Sequence, residues 1–173
     1  QQFQMAGAQL SDIDKDKLKK LNEEEAGLST KFSNQLLAAT KQGAFVVSDK
    51  SLLDGLSDGE IEAAAAAAKD AKQDGKWLLE LQNTTQQPAL LSLNNRKVRE
   101  DLFKASWNRT EKGDANDTRK VIIRLAELRA QKAQLLGFKN YAAWKLQDQM
   151  AKTPEAVDQF LSNLIPAAVA KAN

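Results

Sequence analysis

Lys132 is the residue whose type and position most need a chemical explanation. Helical spacing, at about 100° per residue, places it within an apolar stripe formed by Val121, Leu125, Leu128 and Leu135. An ammonium group there needs a carboxylate partner, for instance at a boundary between domains, or a stem that lets it reach water. Direct contact with a substrate is the alternative. The sequence predicts a structural role for Lys132, as an ion-pair partner or a snorkelling side chain.

Two residue types that carry out much of protein chemistry, cysteine and histidine, are absent from the 173 residues. Their absence excludes disulfides, iron–sulfur clusters, thiol catalysis and nucleophiles activated by histidine within this chain. A zinc ion could be bound here only by carboxylates, whereas the usual zinc sites use His or Cys. We therefore predict that this chain contains no catalytic, cofactor-binding or metal-binding residue.

Two short motifs resemble known sites without completing them. Asp114, Asn116 and Thr118 begin like a calcium-binding loop, but that pattern requires glycine at position 119 and glutamate at position 125. This chain has arginine and leucine at those positions. The triplets that begin at Asn83 and Asn108 match the glycosylation pattern, and without cysteine or a secretion signal they are interpreted as chance matches. Neither motif predicts a site.

The tryptophans and a run of glutamates have structural interpretations. Trp77, Trp107 and Trp144 could stack on a ligand, but packing in a core or at a domain boundary is the prediction. The three successive glutamates at positions 23–25 are predicted to form the solvated face of a helix.

Charge is distributed unevenly along the chain. Residues 96–145 hold 13 Lys and Arg against 6 Asp and Glu, a local charge of +7, which leaves −5 for the rest of a chain whose net charge is +2. Because exposed aromatics are not interleaved with these basic residues, an acidic neighbouring domain or solvent is a better match than nucleic acid. No apolar run approaches the roughly 20 residues that cross a bilayer. Neither nucleic acid nor a membrane is a predicted partner.

Periodicity predicts a mainly α fold: a multi-helix segment, residues 1–173, with one small β-hairpin. Capping boxes begin at Ser11 and Ser57, a polar loop covers residues 83–88, and Pro166 should kink or end the last helix. The predicted strands are 44–47 and 77–81, and the predicted helices are 11–42, 58–73, 88–93, 95–108, 118–136, 141–151 and 154–171.

Several stretches carry a family resemblance. The sequence RLAELRAQKAQLLGFKNYAAWKLQDQMAKTPEAV, at residues 124–157, is similar to a segment upstream of the active site in thimet-oligopeptidase-like zinc metallopeptidases. LQNTTQQPAL at 81–90 and REDLFKASWNRTEKGDANDT at 99–118 resemble the bacterial peptidyl-dipeptidase (dipeptidyl carboxypeptidase) branch more closely than the endo-acting oligopeptidases. The opening AGAQLSDIDKDKLKKLN extends the resemblance to nearly the whole chain.

The resemblance implies a larger, two-lobed helical fold that encloses a deep channel. In that family an H-E-x-x-H helix and a later glutamate hold zinc, and the glutamate of the motif is the general base. These residues would lie downstream of this chain, which is then expected to form part of the channel wall and to be inactive alone. Its partners would be the remaining catalytic portion of the same polypeptide and short peptide substrates.

The implied reaction is release of dipeptides from the carboxyl end of short peptides. This reaction needs a cation or donor for the terminal carboxylate, and the basic residues between Arg96 and Lys145 are candidates. An endo-acting oligopeptidase of the same family and a non-enzymatic helical interaction module are the alternatives. The chain opens at QQFQ and stops within LIPAAVAKAN, and it is expected to be a segment of a longer polypeptide. The expected compartment is the cytoplasm, with the periplasm also possible.

Overall fold

Helices account for most of residues 2–172, which are the residues that the computed structural model describes. The mainly α prediction is confirmed, and a pair of antiparallel strands accompanies the helices. The two ends of the predicted segment, Gln1 and Asn173, lie outside the described residues. The elements are α1 Gln2–Met5, α2 Asp12–Gln42, β1 Phe45–Val47, a 3₁₀ helix Lys50–Leu53, α3 Asp58–Asp70, β2 Trp77–Leu79, α4 Asn83–Ser92, α5 Arg96–Trp107, α6 Arg119–Leu135, α7 Tyr141–Lys145 and α8 Pro154–Ala172.

Side-chain caps fix where several helices begin. Ser11 Oγ accepts the Asp14 backbone N–H at 3.2 Å at the start of α2. At α3 the Ser57 side chain and the Glu60 side chain each accept a backbone N–H of the other, which is a complete capping box. α6 ends in a left-handed Gly137, and Phe138 N–H donates to Ala133 C=O at 2.8 Å. These ends lie within one residue of the sequence predictions because local caps, rather than distant contacts, determine them.

Removing one of these caps should have a measurable cost. We expect Ser57→Ala to lower the free energy of unfolding by about 1 kcal/mol, because the Glu60 N–H loses its acceptor at the exposed start of α3. Ser48→Ala is a matched control, since Ser48 is exposed and caps no helix. Urea unfolding followed by circular dichroism measures both. An equal cost for the two variants would contradict the capping role of Ser57.

The described residues divide into two compact units. One contains the residues up to Ser29 together with those from Ile123 onward, and the other is Thr30–Ile122. The second unit contains the strand pair, in which Phe45 pairs with Leu79 and Val47 with Trp77. Its core is a cluster contributed by β1, the 3₁₀ helix, α3, β2, α4 and α5, namely Val47, Leu53, Ala64, Leu79, Leu81, Ala89, Leu93, Val98 and Leu102.

Both strands and α3 are shorter than predicted. β1 starts at Phe45 and β2 ends at Leu79, before the buried Leu81 leads into α4. α3 ends at Asp70 rather than at residue 73, because Lys72 adopts a positive φ of 59° and its N–H donates to Lys69 C=O at 2.9 Å. That left-handed residue closes the helix before the predicted end at residue 73.

The predicted polar loop at residues 83–88 is wrong. These residues form the first turns of α4, which begins at Asn83 and continues through Pro88 to Ser92. The Gln86 side chain is buried and accepts a hydrogen bond from Ser106 Oγ on α5 at 3.0 Å. Because this tertiary contact anchors the early turn, the helix starts five residues before the proline that was predicted to open it.

The prediction for α7 also needs correction, whereas α8 lies within one residue of the predicted helix 154–171. α7 ends at Lys145 instead of residue 151 and is followed by turns and a bend, and Lys152 takes a positive φ of 61°. Because Thr153 precedes a proline, the helical conformation is disfavoured there, which separates α7 from α8. Thr153 Oγ1 then accepts the Ala156 N–H at 3.2 Å and starts α8. Pro166 does not end α8, which continues to Ala172 although proline removes one of its backbone hydrogen bonds. Within residues 2–172 no helix is both long enough and apolar enough to cross a membrane.

Candidate functional site

Lys132 lies in the first unit, where its side chain is almost fully buried. Its Nζ is 2.5 Å from Oε2 of Glu25, which α2 contributes. The side chains of Lys132 and Glu25 keep only 10% and 15% of their surface exposed. The prediction of a carboxylate partner for this lysine is confirmed.

The same carboxylate holds a second cation. Arg129, one turn before Lys132 on α6, donates from Nε to Glu25 Oε1 at 3.0 Å. Burial raises the pKa of the Glu25 carboxyl, but the hydrogen bonds from Lys132 and Arg129 outweigh this effect and hold its pKa below the ordinary value. Glu25 is therefore ionised at neutral pH and joins α2 to α6.

A second ion-pair group lies beside Glu25. Arg124 binds both oxygens of Glu24, at 2.7 and 2.9 Å, and its NH1 contacts Glu127 at 3.1 Å. The hydrogen bond from Arg124 lowers the pKa of the Glu24 carboxyl, and the two carboxylates raise the pKa of Arg124. The prediction that residues 23–25 form a solvated face is thus wrong for Glu25, whose side chain is largely buried, whereas Glu24 pairs with Arg124 and stays exposed.

Aromatic rings of α7 complete the surroundings of Lys132. Tyr141 and Trp144 meet edge to face, with ring centroids 5.5 Å apart, and Lys132 Nζ lies 5.5 Å from the Trp144 centroid. Lys145 Nζ lies 4.5 Å from the same ring, and Arg129 lies 5.3 Å from the Tyr141 ring. These are favourable cation–π distances. We call Glu25, Arg129, Lys132, Tyr141 and Trp144 the Glu25 cluster.

The Glu25 cluster has the chemistry of a structural clamp. A carboxylate whose pKa is lowered is a weak general base at neutral pH, and Glu25 has both oxygens engaged. Arg124, Arg129 and Lys132 already bind carboxylates of α2. We therefore remove these three from the candidates for holding a substrate carboxylate.

The chain's residues do not fit a zinc site. Histidine and cysteine are absent from its sequence, and within residues 2–172 no three acidic side chains come together in a way that could bind a metal ion. The loop that begins like a calcium motif is held by protein groups instead: Asn116 N–H donates to Asp114 Oδ1 at 2.8 Å, and Gln35 Nε2 donates to Ala115 C=O at 2.8 Å.

The tryptophans behave differently from one another. Trp77 is half-buried against the core of the second unit, and Trp144 is half-buried with its Nε1 donating to Met5 C=O at 3.0 Å. Trp107 is 73% exposed and stacks on Phe103 with centroids 5.5 Å apart. Trp107 therefore does not pack in the core of its unit, and its packing at a domain boundary stays a prediction.

Comparison with known proteins indicates which family of enzymes this chain resembles. Residues 89–173 match the model of Peptidase family M3. The dipeptidyl carboxypeptidase of Escherichia coli is 55% identical over 173 residues, which is all of this chain. The chain therefore resembles peptidase family M3 along its whole length, and its second half matches the model of that family. The dipeptidyl carboxypeptidase of Salmonella typhimurium is 52% identical over 97% of the chain, and the family M3 oligopeptidase A of E. coli is 33% identical over 79%.

The chain spans about a quarter of the length of these family M3 relatives, which is 25% for both dipeptidyl carboxypeptidases. The resemblance to the peptidyl-dipeptidase branch is confirmed, because identity is 55% to a dipeptidyl carboxypeptidase and 33% to an oligopeptidase A. The matched residues 89–173 include Arg129, Lys132 and the aromatic pair of the Glu25 cluster. Glu25 lies outside that match but inside the alignment with the dipeptidyl carboxypeptidase.

Proposed function

We propose that the full-length polypeptide is a zinc peptidase that releases dipeptides from the carboxyl end of short peptides. The observation that supports this is the 55% identity to a dipeptidyl carboxypeptidase across the whole chain, against 33% for an oligopeptidase A across part of it. A difference of this size over a shared region favours the dipeptide-releasing branch of the family. The activity itself belongs to a protein about four times as long as this chain.

Within that enzyme, we assign this chain a structural role as part of the channel wall. Its residues do not fit a zinc site, and the carboxylates and cations of the Glu25 cluster engage one another. Zinc, when bound by the remaining polypeptide, would polarise the scissile carbonyl and activate water. This chain would contribute shape, because a rigid wall admits an extended peptide and excludes a folded protein.

The features that make the chain suitable for a wall are its fixed helix junctions. Glu25 links α2 to α6 through two cations, and both charges of its pair with Lys132 are largely removed from water. Moving the two helices apart would break the pair and leave a buried charge without a partner. The pair therefore opposes such movement. The wall is therefore held by charge pairing in addition to apolar packing.

An endo-acting oligopeptidase is the second candidate, favoured by the 33% identity to oligopeptidase A over 79% of the chain. The two activities leave different products. A dipeptide-releasing enzyme shortens a peptide two residues at a time from its carboxyl end. An endo-acting enzyme first cleaves one internal bond and leaves an amino-terminal and a carboxyl-terminal fragment. The two also differ in their need for a free terminal carboxylate.

Product masses from the full-length protein distinguish the candidates. We expect a decapeptide with a blocked amino end to lose successive dipeptides, and we expect the same peptide with an amidated carboxyl end to be cleaved at least 10-fold more slowly (about 1.4 kcal/mol or more). A chelator should abolish cleavage and added zinc should restore it. Internal cleavage as the first event would favour the endo-acting alternative, and cleavage that survives chelation would contradict a zinc peptidase.

A further inference from the structure

α8 carries an apolar stripe that the other described residues of its own unit leave exposed. None of the 19 residues of α8 is buried. Five large apolar side chains on it are between 44% and 66% exposed, which is unusual for residues of this type. They are Phe160, Leu161, Leu164, Ile165 and Val169.

The exposed side chains share one side of the helix. At about 100° per residue, Phe160, Leu161, Leu164 and Ile165 fall within one face, and the opposite face carries polar residues. That polar face is satisfied locally, for example by the bond from Gln159 Nε2 to Asn163 Oδ1 at 2.9 Å. A contiguous apolar patch of this kind, next to a polar face, is typical of a surface that another protein segment covers.

The backbone of α8 also indicates a missing neighbour. Pro166 lies inside the helix and removes one of its hydrogen bonds, at a cost of about 3 kcal/mol in a helix interior. Most of the stability of a helix within a protein comes from packing of its apolar face. Burial of the stripe by another segment would supply that packing and offset the cost of the proline.

We propose that the apolar stripe of α8 is the surface on which the remaining part of the parent polypeptide packs. α8 lies entirely within residues 89–173, the stretch that matches the family M3 model. The chain covers only 25% of the related dipeptidyl carboxypeptidase, so three quarters of such a protein is available to cover α8. Between Phe160 and Ile165 the stripe has no charged residue, although Lys171 follows on the same face near the end of α8. This stretch fits an apolar segment better than an acidic or basic partner.

This inference rests on the proposed function only in requiring a longer family M3 parent. It does not depend on which bonds that parent cleaves. Stability and product masses are independent measurements, so either proposal can fail alone. An endo-acting parent whose α8 stripe is buried would overturn the dipeptide release and leave the packing surface standing.

The test introduces one charge on each face of α8. Leu164→Asp places a carboxylate in the apolar stripe, and Ser162→Asp, two residues earlier on the polar side, is the matched control. In the full-length protein we expect Leu164→Asp to lower the melting temperature by about 5 °C or more, and Ser162→Asp to leave it within about 1 °C. Leu164→Ala should give a smaller decrease, which keeps the test informative if the aspartate variant does not fold.

The same variants in the 173-residue chain complete the experiment. We expect Leu164→Asp and Ser162→Asp to have equal melting temperatures there, because the surface that covers Leu164 is missing. Equal effects of the two variants in the full-length protein would overturn the proposal. So would a dimer of the 173-residue chain, measured by sedimentation, that Leu164→Asp dissociates, since the occupant would then be a second copy.

Discussion

Gly55→Ala should lower the free energy of unfolding by about 4 kcal/mol or more. Gly55 has a φ of +99°, and a Cβ at this position would lie 2.1 Å from the Ser92 carbonyl oxygen and 2.9 Å from the Asn94 backbone nitrogen. Both atoms belong to the backbone, so the clash cannot be relieved by rotating a side chain. Their segment is held in place by Asn94 N–H, which donates to Asp54 C=O at 2.9 Å.

Two other glycines distinguish the cost of the steric clash from the cost of the backbone conformation. Gly75 has a φ of +77° but open space around its Cβ position, so Gly75→Ala should cost about 1 kcal/mol from backbone strain alone. Gly59 lies in α3 with open space and no positive φ, and Gly59→Ala should stabilise by about 0.5 kcal/mol. Guanidinium unfolding measures all three. A Gly55→Ala cost equal to that of Gly75→Ala would mean that the close approach to Ser92 does not exist.

The second large effect should come from Glu25. We expect Glu25→Gln to cost about 2–3 kcal/mol, because Lys132 would keep a largely buried ammonium group without its carboxylate. This is below the range for fully buried pairs, since both side chains retain some exposure to water. Lys132→Met should cost about 1 kcal/mol or less, because Glu25 keeps Arg129 and the apolar stem is preserved. Glu23→Gln, at an exposed position two residues earlier on α2, should be neutral.

The Glu25 effect should also depend on pH. The pKa of Glu25 is held below its ordinary value of 4.5 in the folded chain. A carboxylate with a lowered folded pKa contributes stability that is present above the unfolded pKa and is lost as pH falls through the folded pKa. The difference between wild type and Glu25→Gln should therefore be full at pH 7 and shrink below about pH 4.5. A difference that stays constant from pH 7 to pH 3 would contradict this assignment.

The spacing of residues in the sequence indicates both partners of the Glu25–Lys132 pair, although only the position of Lys132 led to a prediction. Helical spacing placed Lys132 within an apolar stripe, and this predicted a carboxylate partner. The same spacing places Glu25 among Leu18, Leu21 and Leu28, in the middle of the apolar face of α2. Three successive glutamates favoured a solvated face, yet only one of the three lies on the stripe. An apolar stripe with one negative charge and a second stripe with one positive charge together predict a buried ion pair.

Other features depended on contacts that no local pattern reveals. α4 begins early because Gln86 meets Ser106, which is 20 residues away in sequence. The apolar stripe of α8 follows from periodicity, but its exposure does not, since burial depends on a partner surface that is not among the described residues of its own unit. Helix ends with side-chain or glycine caps, as at Ser57 and Gly137, were predictable because the determinants lie within a few residues.

We propose that this chain contributes structure to the channel wall of a longer peptidase and none of its chemistry. The most direct measurement compares zinc binding and peptide cleavage by the full-length protein with those of the 173-residue chain under the same conditions. The account predicts stoichiometric zinc and dipeptide release for the full-length protein, and neither for the chain. Stoichiometric zinc in the 173-residue chain together with release of dipeptides would contradict it.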